Sequence, residues 1–145
     1  MVKESKVKVI DGDGLILGRV ASYVAKHAMK GESFRIINAE KMVISGDRKN
    51  IVAKYVKRRN MKNKANPEHS PKWPKRPDLL VKRVIKGMLP VGKTSGRMAL
   101  KNVRAYIGEE TVDGERVKLN DSFKKDKLSK YITVLELCRA LSYKC

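Results

Sequence analysis

Charged and apolar positions alternate through KVKVID, Lys6 to Asp11. An alternating run that ends in turn-forming residues predicts a β-strand. DGDGLILG follows as a turn, and the pattern then changes to helical period. In GRVASYVAKHAMKG, Gly18 to Gly31, one face collects Val20, Ala21, Val24, Ala25, Ala28 and Met29. Arg19, Tyr23, Lys26 and Lys30 share the other, as expected of an amphipathic helix. Small alanines on the apolar side would let that helix lie close to a sheet, and Gly31 suits a C-terminal cap. FRIIN, Phe34 to Asn38, is a nearly continuous apolar run of strand length. Such runs suit strands covered on both faces, as in parallel sheets. MVIS, Met42 to Ser45, predicts a third, short strand.

Gly46 and Asp47 open a second helix, DRKNIVAKYVKRR, with Ile51, Val52, Tyr55 and Val56 apolar and a basic end at Lys57, Arg58 and Arg59. Four prolines at 67, 71, 74 and 77 then forbid regular structure. A loop this long within a compact domain points to function or disorder, and its charge predicts mobility in the absence of a partner. PDLLVKRVIKGM restarts a helix, with Pro77 suited to its first turn and an apolar stripe of Val81, Val84, Ile85 and Met88. RMALKN predicts a further short helix, and VRAYIG, Val103 to Gly108, a fourth strand. Beyond Glu109 the chain turns polar, and residues 109–145 are expected to be peripheral. They end in a helix where Thr133 and Glu136 have capping-box spacing. Strands that alternate with helices predict one α/β domain, a three-layer α/β/α arrangement around a mainly parallel sheet. The core is expected over 7–108, with a basic loop over 57–77.

Charge narrows the function. Lys and Arg number 34 against 15 Asp and Glu, for a net +19 and a pI near 10.1. Residues 48–104 alone hold 18 bases and 2 acids. A block of that size repels itself unless a polyanion neutralises it, and nucleic acid is the natural partner. A membrane surface fits less well, because the block has no long amphipathic helix with aromatic anchors. No apolar run is long enough to span a bilayer, and the first residues lack the apolar core of a signal peptide. Cys138 and Cys145 lack C-x-x-C spacing, which predicts unlinked thiols in a reducing, cytosolic compartment. RNA is favoured over DNA, since no helix-turn-helix, zinc-finger or basic-zipper pattern occurs. The candidate contacts are Arg48, Lys54, Lys57, Arg58 and Arg59 on the second helix, and Lys62, Lys64, Lys72, Trp73, Lys75 and Arg76 in the loop. Lys82, Arg83 and Lys86 continue them on the third helix. Trp73 and Tyr55 offer rings that could stack on bases.

Two motifs compete with that reading. GMLPVGKT, Gly87 to Thr94, matches the phosphate-loop pattern letter for letter. A working loop needs a buried strand before it and a helix after it. Here the preceding segment is a charged amphipathic helix, and Pro90 removes one loop N–H. DGDGLILG resembles a dinucleotide fingerprint, but its glycines at 12, 14 and 18 are spaced one residue too far apart. A tight turn with close helix packing accounts for it better. His27 and His69 have no carboxylate or cysteine at ligand spacing, and no nucleophile has a partner base. The expectation is therefore no catalytic residue, no metal, no cofactor and no small-molecule substrate.

VIDGDGLILGRVAS, INAEKMVISGD, and KRP followed by KGMLPVGKTSGR resemble the universal large-subunit ribosomal protein thirteen family, in its archaeal and eukaryotic form. The resemblance covers roughly Val7 to Gly108, about two-thirds of the chain. It implies a four-stranded parallel sheet of order 3-2-1-4. It also implies a non-enzymatic protein of the cytoplasmic large subunit that binds large-subunit ribosomal RNA beside neighbouring ribosomal proteins. The GMLP-to-GR block would lie at the RNA surface. Gly87 would allow a sharp turn, Gly92 a close backbone approach, and Lys93, Arg97 and Lys101 the charge. Arg19 and Lys26 on the first helix would add a second contact.

Overall fold

The computed structural model describes residues 6–144. Strand β1, Val7–Asp11, lies at the centre of a parallel sheet with β2, Ser33–Ile37, beside it. Outside β2 runs β4, Val103–Ala105, and outside β1 runs β5, Glu115–Arg116. Counted along the chain, the strands of this sheet take the order 3-2-1-4. The α/β class and the parallel sheet are as expected. The residues that fill the third and fourth places are not: they are 103–105 and 115–116, instead of 42–45 and 103–108.

Strand β3, Val43–Ser45, leaves the sheet altogether. It pairs antiparallel with β6, Tyr131–Thr133. The cause is local. Asn38 takes a left-handed conformation (φ 52°), which its short polar side chain tolerates, and one 3-10 turn over Ala39–Lys41 redirects the chain. Five residues between β2 and β3 are also too few for a parallel crossover, which needs about a dozen or more.

The register puts Ile10, Ile36 and Ala105 in one row, with Phe34 and Val103 beside them on the same face. Helix α1, Leu17–Ala28, lays Val20, Ala21, Val24, Ala25 and Ala28 into that core. Met29, expected on the same face, lies past the helix end and is exposed. Helix α3, Pro77–Gly87, adds Leu80, Val81 and Ile85, and α4, Thr94–Lys101, adds Ala99. The stripe on α3 is rotated from the expected one: Leu80 is buried, Val84 half-buried and Met88 exposed. Each fully buried Ile, Leu or Phe contributes about 1.5–3 kcal/mol. On the opposite sheet face Ser33 and Ile37 are buried as well, so β2 is covered on both sides as its apolar run predicts.

The C-terminal stretch is peripheral over residues 109–130, where no residue is buried, but its last part is not. Helix α5, Val134–Ala140, packs on α3 and on α2, Arg48–Asn60. Ile132, Val134, Leu137 and Cys138 have no exposed surface. The capping box is present, with Thr133 Oγ1 accepting from the Glu136 N–H at 3.2 Å and Glu136 Oε2 accepting from the Thr133 N–H at 3.3 Å. A polar composition concealed this because few residues carry the anchoring. Cys138 is a core residue, and Cys145 lies outside the described residues.

Candidate nucleic-acid interface

The basic block is assembled around one indole. Helix α2 brings Tyr55 and Arg58 together one turn from its end, the loop brings Trp73, and α3 brings Arg83. The Trp73 ring meets Tyr55 edge-on, with ring centres 5.7 Å apart. The guanidinium carbons of Arg58 and Arg83 lie 4.8 and 4.9 Å from its centre. Arg58 also sits 5.2 Å from the Tyr55 ring. The aromatic faces attract both cations. They also hold two like charges within roughly one Debye length, ~10 Å at 0.1 M salt. Such an arrangement stores an unneutralised positive potential at the junction of α2, loop and α3.

Tyr55 is buried, and burial raises its hydroxyl pKa. Trp73 is half-buried beneath its arginines. These rings anchor the loop; they are not presented as free stacking platforms. The loop has further internal support. Asn63 Oδ1 accepts from the N–H groups of Ala65 and Asn66, both at 3.2 Å. Asn63 N–H donates to Ser70 Oγ at 2.9 Å, and Asn66 Oδ1 accepts from Glu68 N–H at 3.2 Å. Asparagine side chains that close turns on their own backbone brace a proline-rich stretch whose charge alone favours mobility. Trp73→Ala is expected to speed tryptic cleavage within 57–76 at least about five-fold while Trp73→Phe changes it little, because the anchor is an aromatic body in contact with two cations. Limited proteolysis followed by mass spectrometry reads this out directly.

The bases around this anchor divide into two groups. Lys54, Lys57, Lys62, Lys64, Lys72, Lys75, Lys86, Lys93, Arg97 and Lys101 are exposed. Others serve the fold as well. Arg59 Nη1 donates to the Leu141 carbonyl at 3.1 Å, at the end of α5. Arg76 Nη2 donates to Asp78 Oδ2 at 3.0 Å. Among the described residues that is the one side-chain ion pair inside the block. Lys82 is half-buried, and with Pro74, Lys86 and Leu100 it ties the loop, α3 and α4 into one surface. Arg48 stands ten residues before Arg58 on α2, about 15 Å away at 1.5 Å per residue. On α1, Lys26 is exposed, whereas Arg19 donates to the Ser122 carbonyl and so ties down the C-terminal segment.

The phosphate-loop motif does not have phosphate-loop geometry. A helix, α3, leads into it where a strand is required. Its N–H groups turn inward on the loop itself: Leu89 donates to Lys86, Val91 to Leu89 and Lys93 to Pro90. Gly87 and Gly92 both face open space. The glycine the segment depends on is Gly96, which sequence reasoning did not single out. A β-carbon there would stand 2.1 Å from the Pro90 carbonyl oxygen. The earlier glycine motif is the tight turn expected, with Gly14 left-handed (φ 68°). The close packing falls at Gly12, where an added β-carbon would reach Met42 Cγ at 2.8 Å and the Ile37 carbonyl at 3.0 Å, whereas Gly18 on α1 has nothing within 4 Å and packs no helix closely.

One polar cluster was missed. His27 Nδ1 lies 3.3 Å from Glu32 Oε1, although no carboxylate neighbour was expected for it. Lys8 Nζ donates to Glu32 Oε2 at 2.8 Å. That bond raises the Lys8 pKa and lowers that of Glu32. The spacing of five residues across a helix end hid the pair. His27 also stacks on Tyr23 at 4.4 Å, so the cluster closes the edge of α1 over β1.

The fold and this surface define an α/β domain whose charge is gathered on two helices, a braced loop and the helix that follows. Comparison with known proteins names the family. The family model "Ribosomal protein L13" matches residues 5–112. The large ribosomal subunit protein uL13 of Methanocaldococcus jannaschii is 45% identical over 142 residues, covering 94% of this chain and 98% of that one. Its counterparts in Methanosarcina barkeri and Haloarcula marismortui are both 41% identical, covering 94% and 92% of this chain and 98% and 89% of their own. The chain belongs to the ribosomal protein L13 family, a family of structural proteins and not of enzymes. Coverage of 94% also carries the likeness well past residue 112 and into the C-terminal stretch.

Proposed function

We propose that this protein is a structural constituent of the cytoplasmic large ribosomal subunit, where its basic surface binds large-subunit ribosomal RNA. The 57–77 loop and the Gly87–Arg97 segment neutralise phosphates where RNA helices crowd together. The sheet domain acts as their rigid mount, and neighbouring ribosomal proteins complete the surroundings. The observation that supports this most is the internal neutrality the block lacks. It holds 18 bases, and Arg76–Asp78 is its one ion pair among the described residues. Phosphate contacts fix position and carry little sequence information, so specificity comes from RNA shape. Packing of RNA helices during assembly and translation is then the protein's work, with neither a membrane nor a small-molecule substrate involved. Among the described residues no helix is long and apolar enough to cross a membrane.

Sedimentation in a high-salt sucrose gradient tests the reading. The protein is expected to migrate with the large subunit and to lose that position after ribonuclease treatment. Sedimentation as a free 16.4 kDa chain would overturn it.

A further inference from the structure

The RNA reading leaves the apolar floor of one groove unused. Val52, Ala53 and Val56 of α2 and Ala140 of α5 floor an open groove of about 580 Å³. Ala53, Val56 and Ala140 are exposed, Val56 by 38%. Arg48 and Lys49 stand at one end of the floor. At the other, past Val56 and Ala140, a second recess is lined by Arg59, Lys62 and Lys75. No carboxylate lines either recess. The groove is therefore apolar along its length and basic at both ends.

We propose that this groove docks an acidic, apolar-anchored segment of a partner protein. Hydrophobic side chains at helical spacing would rest on Val52, Ala53 and Val56, as in helix-in-groove recognition. Carboxylates would reach Arg48 and Lys49 at one end and Lys62 and Lys75 at the other. Helix α2 has 13 residues, so its face runs about 20 Å at 1.5 Å per residue, the length of a three- to four-turn helix.

Charge and chemistry exclude the other occupants. RNA suits the rims but not the floor, which offers neither an aromatic ring for a base nor a donor for a phosphate. Phosphates and riboses laid on Val52, Ala53 and Val56 would lose water and gain no hydrogen bond. A second copy of this chain suits neither. A two-fold contact sets the same patch against itself, and every charged rim residue here is basic. Only the apolar floor is separate from the RNA reading: the rim residues Arg48, Lys62 and Lys75 are candidate phosphate contacts as well, so the test is read at the floor, on Ala53 and Val56.

The test uses the purified full chain and a fluorescein-labelled 15-residue helical peptide. Leucines are placed at i, i+3, i+4 and i+7, glutamates only at the two ends that meet the basic rims, and alanines and glutamines, which favour helix, at the remaining positions. A control peptide keeps the glutamates and replaces each leucine by serine. Fluorescence anisotropy is expected to show the leucine peptide binding at least ten-fold tighter than the control. The double variant Ala53→Ser with Val56→Ser is expected to erase that difference. Both positions are exposed, so its melting temperature should stay within about 2 °C of the parent. Equal affinity for the two peptides would overturn the proposal, since charge alone would then explain binding. So would a preference for leucine that survives the double variant. A labelled RNA oligonucleotide whose affinity falls with the double variant would also overturn it, and would assign the groove to RNA.

Discussion

Replacing Lys57, Lys64, Lys72 and Lys86 together by glutamate is expected to weaken binding to large-subunit ribosomal RNA by about 10³-fold near 0.1 M salt. Each reversal deletes a phosphate contact and sets a like charge against the backbone. Three decades correspond to roughly 4 kcal/mol, or about 1 kcal/mol per residue changed. The salt dependence is the sharper readout. Every phosphate neutralised adds about 0.7–0.9 to the slope of log K against log salt, so the four changes should flatten the plot by about three. A filter-binding titration measures both quantities. An unchanged slope would remove these lysines from the interface, even if affinity fell for another reason.

Those four positions differ from the set that charge alone suggests. Arg58, Arg59, Arg76 and Arg83 are just as basic, yet each has an internal partner in Tyr55 and Trp73, Leu141, Asp78 and Trp73 respectively. Reversing them would disturb the loop anchor, the end of α5 or the start of α3, and lost affinity could not be separated from lost structure. The four lysines are exposed. Surface substitutions of that kind shift stability by about 0.5 kcal/mol or less. Removing positive charge from a +19 chain also relieves self-repulsion, so the variant should melt at or above the parent temperature.

How much of this could be read from the residues depends on where each signal resides. Periodicity found α1 and α3, because each buries a stripe long enough to repeat; on α2 only Ile51 and Tyr55 of the expected apolar face are buried, while Val56 is exposed. The same signal misplaced β3, although the information was present. The five residues between Ile37 and Val43 cannot carry a parallel crossover, and Asn38 is a residue that accepts a left-handed turn. It could not find β5. Glu115 and Arg116 are both exposed, and they join the sheet only through the backbone ladder to β1. A two-residue edge strand has no apolar face from which to infer it. The C-terminal anchor was half legible. The Thr133–Glu136 cap was visible, but the burial of Ile132 and Leu137 depends on the distant surfaces of α2 and α3. At the interface, composition located the basic block, yet it could not separate the arginines that hold Trp73 from the lysines that face solvent. That division is a matter of which side chains meet across sequence distance.

The GMLP segment supplies the largest stability effect. Gly96→Ala is expected to lower the melting temperature by roughly 6–12 °C, whereas Gly87→Ala and Gly92→Ala should each move it by about 2 °C or less. Read as a phosphate loop, GMLPVGKT makes Gly87 and Gly92 essential and gives Gly96 no role. The packing reverses that order. A methyl group on Gly96 would overlap the Pro90 carbonyl at 2.1 Å from its oxygen and 2.4 Å from its carbon, and backbone cannot swing aside as a flexible side chain can. Forcing α4 away from that turn is an overpacking defect of about 3 kcal/mol. For a chain near 150 residues each kcal/mol is about 2–4 °C. A β-carbon added to Gly87 or Gly92 would meet nothing within 4 Å, and neither residue has a left-handed backbone to satisfy. Gly87 closes α3, where alanine is the better helix former. Calorimetry of the three variants decides the matter. If Gly92→Ala proves the most damaging, the loop's conformation and not the α4 contact governs the segment, and Lys93 and Arg97 are positioned by a turn other than the one closed by the Lys93 N–H on the Pro90 carbonyl.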